Sequence, residues 1–135
     1  MTTYNEVIEG ALKRLAVVQT GQTPSGEEYL DGIRSLNRMV NGWRLKGIYL
    51  PFSTVADADG GNTATFDDEE LDAIEANLAL RLSGDYGKQP TPVLARDAAE
   101  GWSALYAKYG QSIAQTVDRA LLPSYRPGIF RRITD

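Results

Sequence analysis

Cysteine and histidine are both absent from the 135 residues. Without cysteine there are no disulfides, no thiolate nucleophile and no Cys-based zinc or iron–sulfur site. Without histidine the commonest general base and transition-metal ligand is missing. Any chemistry would have to come from Asp, Glu, Ser, Lys or Tyr. No apolar run approaches the roughly 18–20 residues of a membrane span. The start, Met1-Thr2-Thr3-Tyr4-Asn5-Glu6, has no basic segment leading into an apolar one, so it does not read as a signal peptide. The chain is therefore expected to be made and kept in the cytoplasm until used, without membrane contact. Walker, Rossmann, zinc and EF-hand patterns are missing too. Asp57-Ala58-Asp59-Gly60-Gly61-Asn62 is only superficially like a calcium loop, because no helix leads into it.

What is present is ordinary for one globular domain: 42 % hydrophobic and 24 % charged residues, with a net charge of −4. The charge is uneven. Residues 118–135 hold Arg119, Arg126, Arg131 and Arg132 against Asp118 and Asp135, a balance of +2, which leaves −6 for the rest. Between Asp57 and Glu75 lie eight acids and no base. A duplex-DNA reader needs a basic face, whereas this body is acidic and its end is basic. The acidic stretch is expected to be exposed, not buried.

Four helices are expected. Thr3 with Glu6 is a capping box, followed by an apolar stripe through Tyr4, Val7, Ile8, Ala11, Leu12 and Leu15. The first helix is thus predicted over 3–17. A second, over 25–46, starts near Thr23-Pro24, with Pro in the first helical position, or at Ser25, which with Glu28 offers a capping box. Its Ile33, Leu36, Val40 and Trp43 lie inward and Gly47 is its stop. Gly32 and Gly42 lie inside it, either as tolerated weak points or as places where a neighbouring helix comes close. The third, over 68–83, is capped by Asp67 or Asp68, starts in acids that suit the positive end of the macrodipole and carries Leu71, Ile74, Leu78 and Leu82. The fourth, over 92–115, is capped by Thr91 and holds Leu94, Ala98, Trp102, Leu105, Tyr106, Tyr109 and Ile113. The predicted core is Ile8, Leu12, Leu15, Ile33, Leu36, Val40, Leu78, Leu82, Leu94, Trp102 and Leu105.

Residues 48–66 read as a β-hairpin. Ile48 to Val55 is rich in strand formers, Asp59-Gly60-Gly61-Asn62 is turn chemistry, and Thr63 to Phe66 alternates. The hairpin is expected to project and to touch a neighbour through Phe52, Val55, Asp59, Gly60 and Asn62. The fold class is mainly α, a four-helix bundle with this hairpin between the second and third helices. Residues 1–121 form the helical domain. Residues 122–135 form an extended arm, because Pro123 and Pro127 break any helix. With Tyr125, Ile129, Phe130, Arg126, Arg131 and Arg132 it has the residue types of protein–protein hot spots, which a frayed tail lacks. The acids at 67–70 allow a glycosidase-like pair, but capping and dipole effects account for them without catalysis.

The order of features carries a resemblance. The second helix ends in Asn41-Gly42-Trp43-Arg44-Leu45-Lys46-Gly47-Ile48, followed by Tyr49-Leu50-Pro51-Phe52. The stretch ATFDDEELDAIEANLALRLSGDYG follows, from Ala64 to Gly87. Over roughly residues 3–115 the chain resembles the head-to-tail adaptor family of tailed phages, also described as tail accessory, head-completion or packaged-DNA stabilisation proteins. The resemblance implies a virion protein of the head–tail interface. It implies a dodecameric ring beneath the portal that extends the DNA channel, helps retain packaged DNA and offers a docking surface to tail, nozzle or other connector proteins. DNA would pass through the lumen without sequence-specific binding. It also implies that the C-terminal arm, through Pro123, Tyr125, Arg126, Ile129, Phe130, Arg131 and Arg132, reaches the portal protein. The expectation is a structural protein and not an enzyme, with no catalytic residue, cofactor or metal. A small helical assembly chaperone or regulator, and a carboxylate-dependent glycan hydrolase of the particle, are the alternatives.

Overall fold

A computed structural model describes residues 2–19 and 21–110 of the chain. It is mainly helical, with α1 at Tyr4–Arg14, α2 at Gly26–Trp43, α3 at Asp68–Ser83 and α4 at Pro92–Tyr109. Local chemistry sets the starts. The Thr3 hydroxyl accepts from the Glu6 amide at 3.2 Å. Ser25 and Glu28 form the reciprocal capping box, with bonds of 3.2 and 2.8 Å. The Thr91 hydroxyl accepts from the Leu94 amide at 3.1 Å, just ahead of Pro92 in the first helical position. Two ends differ from expectation. α1 stops at Arg14, short of Val17, because Ala16 turns left-handed (φ 60°) and sends the Val17 and Val18 amides back to the Leu12 carbonyl. α2 tightens into a 3-10 turn at Arg44–Lys46 and ends on left-handed Gly47, φ 92°. Of the predicted fourth helix, residues 111–115 lie outside the described residues, as does the arm at 122–135.

α3 is the centre, packed by α4, α1 and α2. Ile74, Leu78, Ala79 and Leu82 are fully buried, and Ala73 and Ala76 nearly so. α4 runs antiparallel beside it, since Ala73 meets Gly101 and the Asn77 amide donates to the Ala98 carbonyl at 3.0 Å. A Cβ on Gly101 would come within 2.7 Å of the Ala73 Cα, so this glycine sets how closely the helices approach. Gly32 does the same for α1 and α2: a Cβ there would lie 2.3 Å from the Ile8 Cγ2. Gly42, in contrast, faces open space. Arg14 of α1 reaches Asp72 at 3.0 Å and Glu75 at 3.5 Å. Burial still pushes the Glu75 carboxyl up, outweighing the guanidinium.

The hairpin expected over 48–66 is not formed. Among the described residues there is no strand, and only isolated bridges join Thr3 to Thr63 and Ile48 to Gly110. The backbone groups of this segment find other partners. Its first limb lies along α2. There the Asn37 side chain brackets Val55, donating to its carbonyl and accepting from its amide at 2.8 Å each. Arg44 reaches the Phe52 carbonyl at 3.1 Å, Asn41 the Thr54 hydroxyl at 3.1 Å, and Arg34 pairs with Asp57 at 3.1 Å. The second limb serves α1. The Asn5 and Tyr4 amides donate to the Gly60 and Asn62 carbonyls at 2.9 and 3.2 Å, and the Ala64 amide donates to Thr2 at 2.8 Å. Beneath, Phe52 stacks on Phe66 with centroids 5.7 Å apart, and Tyr4 meets both rings edge-on.

Ten of the predicted core residues are buried, from Ile8 to Leu105. Trp102 is the exception. It is only half-buried and stacks on Tyr106 at 5.5 Å, because the inward direction of α4 is set by Leu94, Ala98 and Leu105.

Two of these glycines give a test of this packing. Gly42→Ala should stabilise the chain by about 0.5–1 kcal/mol, since only helix propensity changes. Gly101→Ala should destabilise by about 1–3 kcal/mol despite the same propensity gain, because a backbone must move. Urea denaturation midpoints at constant slope read both. Equal shifts for the two variants would mean that α3 and α4 are not in close contact.

Candidate functional site

The residues expected to meet a neighbour through the hairpin are divided by the structure. Phe52 and Val55 are each 7 % exposed and belong to the core, not to a contact surface. Gly60 is buried against Asn5 and Ile33, where a Cβ would lie 2.2 Å from the Asn5 Oδ1. Of the five, only Asp59 and Asn62 are exposed, at the loop tip. The segment is thus a strap across α1 and α2, not a projection. Deleting 57–62 would remove the carbonyls that hold the start of α1. The arm residues Pro123, Tyr125, Arg126, Ile129, Phe130, Arg131 and Arg132 lie outside the described residues.

The acidic stretch is mostly exposed, with one clear departure. Glu70 is 3 % exposed, at the place where the start of α3 meets the end of α4. Its carboxylate accepts from the Asp67 amide at 3.1 Å, which caps α3, and from the Tyr109 hydroxyl. The Lys108 ammonium lies 2.7 Å from Glu70, 2.5 Å from Glu69 and 3.1 Å from Asp67. One cation therefore serves three carboxylates. Its hydrogen bond to Glu69 first, and that to Glu70 next, hold the Lys108 ammonium well above the usual lysine range. The bond to Glu70 does the same for the Tyr109 hydroxyl, with burial adding to it. Asp67, Glu69 and Glu70 can each offer one oxygen to a cation, with the oxygens within 4.8 Å of one another. Lys108 now meets that charge. Lys108 and Tyr109 did not stand out in the sequence as partners of these acids.

Away from this knot the surface has two unlike sides. One is a groove between α3 and α4 of about 380 Å³, lined by Ala73, Gly101 and Ala104 and by the acids Asp72, Asp97 and Glu100, with Arg14 beside them and Glu69 at the end nearest the knot. The other is a groove of about 260 Å³ where the end of α2 meets α3 and α4. It is lined by Trp43, Leu80 and Trp102, with Lys46 and Arg81 at its edge. Tyr106, beside Trp102, is 38 % exposed. No described helix is long and apolar enough to cross a membrane. No protein-family model matches the chain, and no curated protein is found to be similar to it.

The arrangement at 67–70 does structural work. Capping, an ion pair and the hydroxyl of partly buried Tyr109 converge on one carboxylate. Both raised pKa values have the same sign of linkage: the contribution is fully present below the ordinary values of about 10 and is lost as pH climbs through the raised ones. Near neutrality the contributions of these two groups therefore do not vary with pH. Glu70→Ala should cost about 2 kcal/mol in urea denaturation at pH 7, since it removes a cap and leaves the Tyr109 hydroxyl unpaired. Glu70→Gln, which keeps an acceptor, should lose less. Variants within about 0.5 kcal/mol of the parent would show that this junction does not hold α3 to α4.

Proposed function

We propose that the chain is a structural head-to-tail connector subunit of a tailed phage, one copy of a ring beneath the portal. In that role its helical body, read as a four-helix bundle, extends the DNA channel and helps retain packaged DNA. It also offers a docking surface to tail, nozzle or other connector proteins. The virion would be its place of action and the host cytoplasm its place of synthesis. The observation that carries the reading is the stretch from Ala64 to Gly87, which bears most of the resemblance to adaptor proteins and forms the central helix of the body. The acidic surface supports it too, because a channel wall that repels phosphate lets DNA slide. The hydrolase alternative would need a free acid/base pair at 67–70. Asp67, Glu69 and Glu70 are instead engaged by Lys108, which favours a structural role.

In this reading the arm at 122–135 grips the portal. Its apolar and arginine side chains suit a surface with carboxylates, and Ile129 to Ile133 suit strand addition to a sheet edge. A single arm pays an ordering entropy of about 1–2 kcal/mol per residue fixed. Many arms on one ring add up through effective concentration. The test is co-sedimentation of the full chain with purified portal rings, beside a chain truncated after Leu121. The full chain should join the ring. The truncated chain should keep its helical content and melting behaviour but stay in the supernatant. Attachment of the truncated chain would move the contact onto the helical body. A full chain that joins no portal would sink the connector reading.

A further inference from the structure

The groove edged by Lys46 and Arg81 is built to be covered. Trp102 is half-exposed beside Tyr106, and the two rings stack at 5.5 Å, so both are already ordered before anything binds. Trp, Tyr and Arg are the side chains that dominate binding hot spots. Lys46 and Arg81 are exposed, and among the described residues neither has a carboxylate within ion-pair distance. Lys13, Arg14, Arg34, Arg96 and Lys108 all do. Among the described residues Arg38, Arg44 and Lys88 also lack one, but of these five cations only Lys46 and Arg81 line the groove that holds Trp102.

Charge selects the occupant. The chain's own segment beyond Gly110 is +2, with Arg119, Arg126, Arg131 and Arg132 against Asp118 and Asp135, so this groove repels it. The complementary surface is the acidic start of α3. There Asp68 is exposed and unpaired among the described residues, and the Asp72 side chain, paired on one oxygen with Arg14 at 3.0 Å, is still 95 % exposed. Within one copy that surface cannot reach the groove. Asp68 and Arg81 stand at opposite ends of α3, whose 16 residues span about 24 Å. On α4, the acidic rim at Asp97 and Glu100 lies roughly 140–160° round the helix from Trp102, at 100° per residue.

We infer that a second copy of this chain docks the exposed carboxylates at its α3 start, Asp68 and Asp72, onto the groove formed by Lys46, Arg81 and Trp102. Such a contact is head-to-tail, with different patches on the two copies, and can therefore repeat. It deepens the connector reading and rests on it for its purpose, but the contact itself is testable without any portal.

The experiment uses the purified full chain in sedimentation velocity and carbodiimide cross-linking. Mixed light and ¹⁵N-labelled chains distinguish links between copies from links within one. At low salt the parent should self-associate with rising concentration, and about 0.5 M salt should weaken this by screening. Cross-linked peptides should join Lys46 of one copy to Asp68 or Asp72 of another. Lys46→Glu with Arg81→Glu should weaken association at least about tenfold, as should Asp68→Lys with Asp72→Lys, and mixing the two charge-reversed chains should restore it. All these positions are on the surface, and circular dichroism checks that each variant is folded. A parent that stays monomeric at low salt would overturn the inference. So would reversed chains that associate as the parent does, or links from Lys46 to Asp118 or Asp135 of its own copy. Self-association without portal attachment would sink the connector reading and keep this contact. Portal attachment with no contact at these residues would sink the contact alone.

Discussion

A helix packed on three sides can have little that is large and nothing unpaired on those sides. α3 is under that constraint, and the rest of the structure follows from it. Its apolar residues do not form one stripe. Ala73 lies against Gly101 of α4, Ala76 and Ala79 are small and buried, and Ile74, Leu78 and Leu82 fill the core beside them. The neighbours adapt in turn. Gly101 removes a side chain where α4 crosses Ala73. Gly10 in α1 leaves room for Glu75, whose carboxyl would lie 2.5 Å from a Cβ at that position. The polar residues that α3 does bury are tied down: Asn77 donates to carbonyls of both its own helix and α4, and Glu70 is held by a cap, a hydroxyl and an ammonium.

The irregular strap between α2 and α3 obeys a second accounting rule, that buried backbone groups must find partners. A hairpin would satisfy them between its own limbs. Here the polar row Arg34, Asn37, Asn41 and Arg44 runs along one side of α2 at helical spacing and takes the first limb as its partner. The start of α1 takes the second. One bond directly links the limbs, from the Thr65 hydroxyl to the Pro51 carbonyl at 3.3 Å. The separated limbs let Phe52 and Phe66 stack under Tyr4 and extend the core beneath the loop.

Sequence periodicity revealed what local spacing decides. The four helices were legible because each capping signal lies within one turn: Thr3 and Thr91 were single readings, while Ser25 and Asp67 were each one of two candidates. What was misread depended on partners distant in the chain. The strand formers of 48–55 met side chains of α2 instead of a second strand, and Asn37 or Asn41 looks like any exposed polar residue until Val55 and Thr54 are placed beside them. Trp102 shares a stripe with Leu105, but it lies at the edge of the buried side of α4, and an apolar stripe alone does not locate its own centre. Of the candidate site, the acids at 67–70 were legible as caps. Their tie to Lys108 was not, since it closes a loop of about 40 residues whose geometry only the packing of α3 on α4 determines. Gly32 and Gly42 look alike in sequence, and only Gly32 has a helix against it.

The same charges that make α3 a good helix also make the body polar. Asp68, Glu69 and Glu70 in its first turn and Arg81 in its last oppose the macrodipole, each by a few tenths of a kcal/mol to about 1 kcal/mol. The two ends then part ways. At the first, Lys108 and Arg14 bind acids and draw α4 and α1 onto α3, yet an excess of carboxylate remains at the surface. At the last, Arg81 and Lys46 find no carboxylate among the described residues and stand beside exposed aromatic rings. Helix stability therefore explains why the charges are where they are, but not why one end is neutralised and the other left open. An open cationic end next to Trp102 contributes little to the isolated fold. It becomes useful when a carboxylate arrives from outside, and this chain's own surface supplies carboxylates in excess.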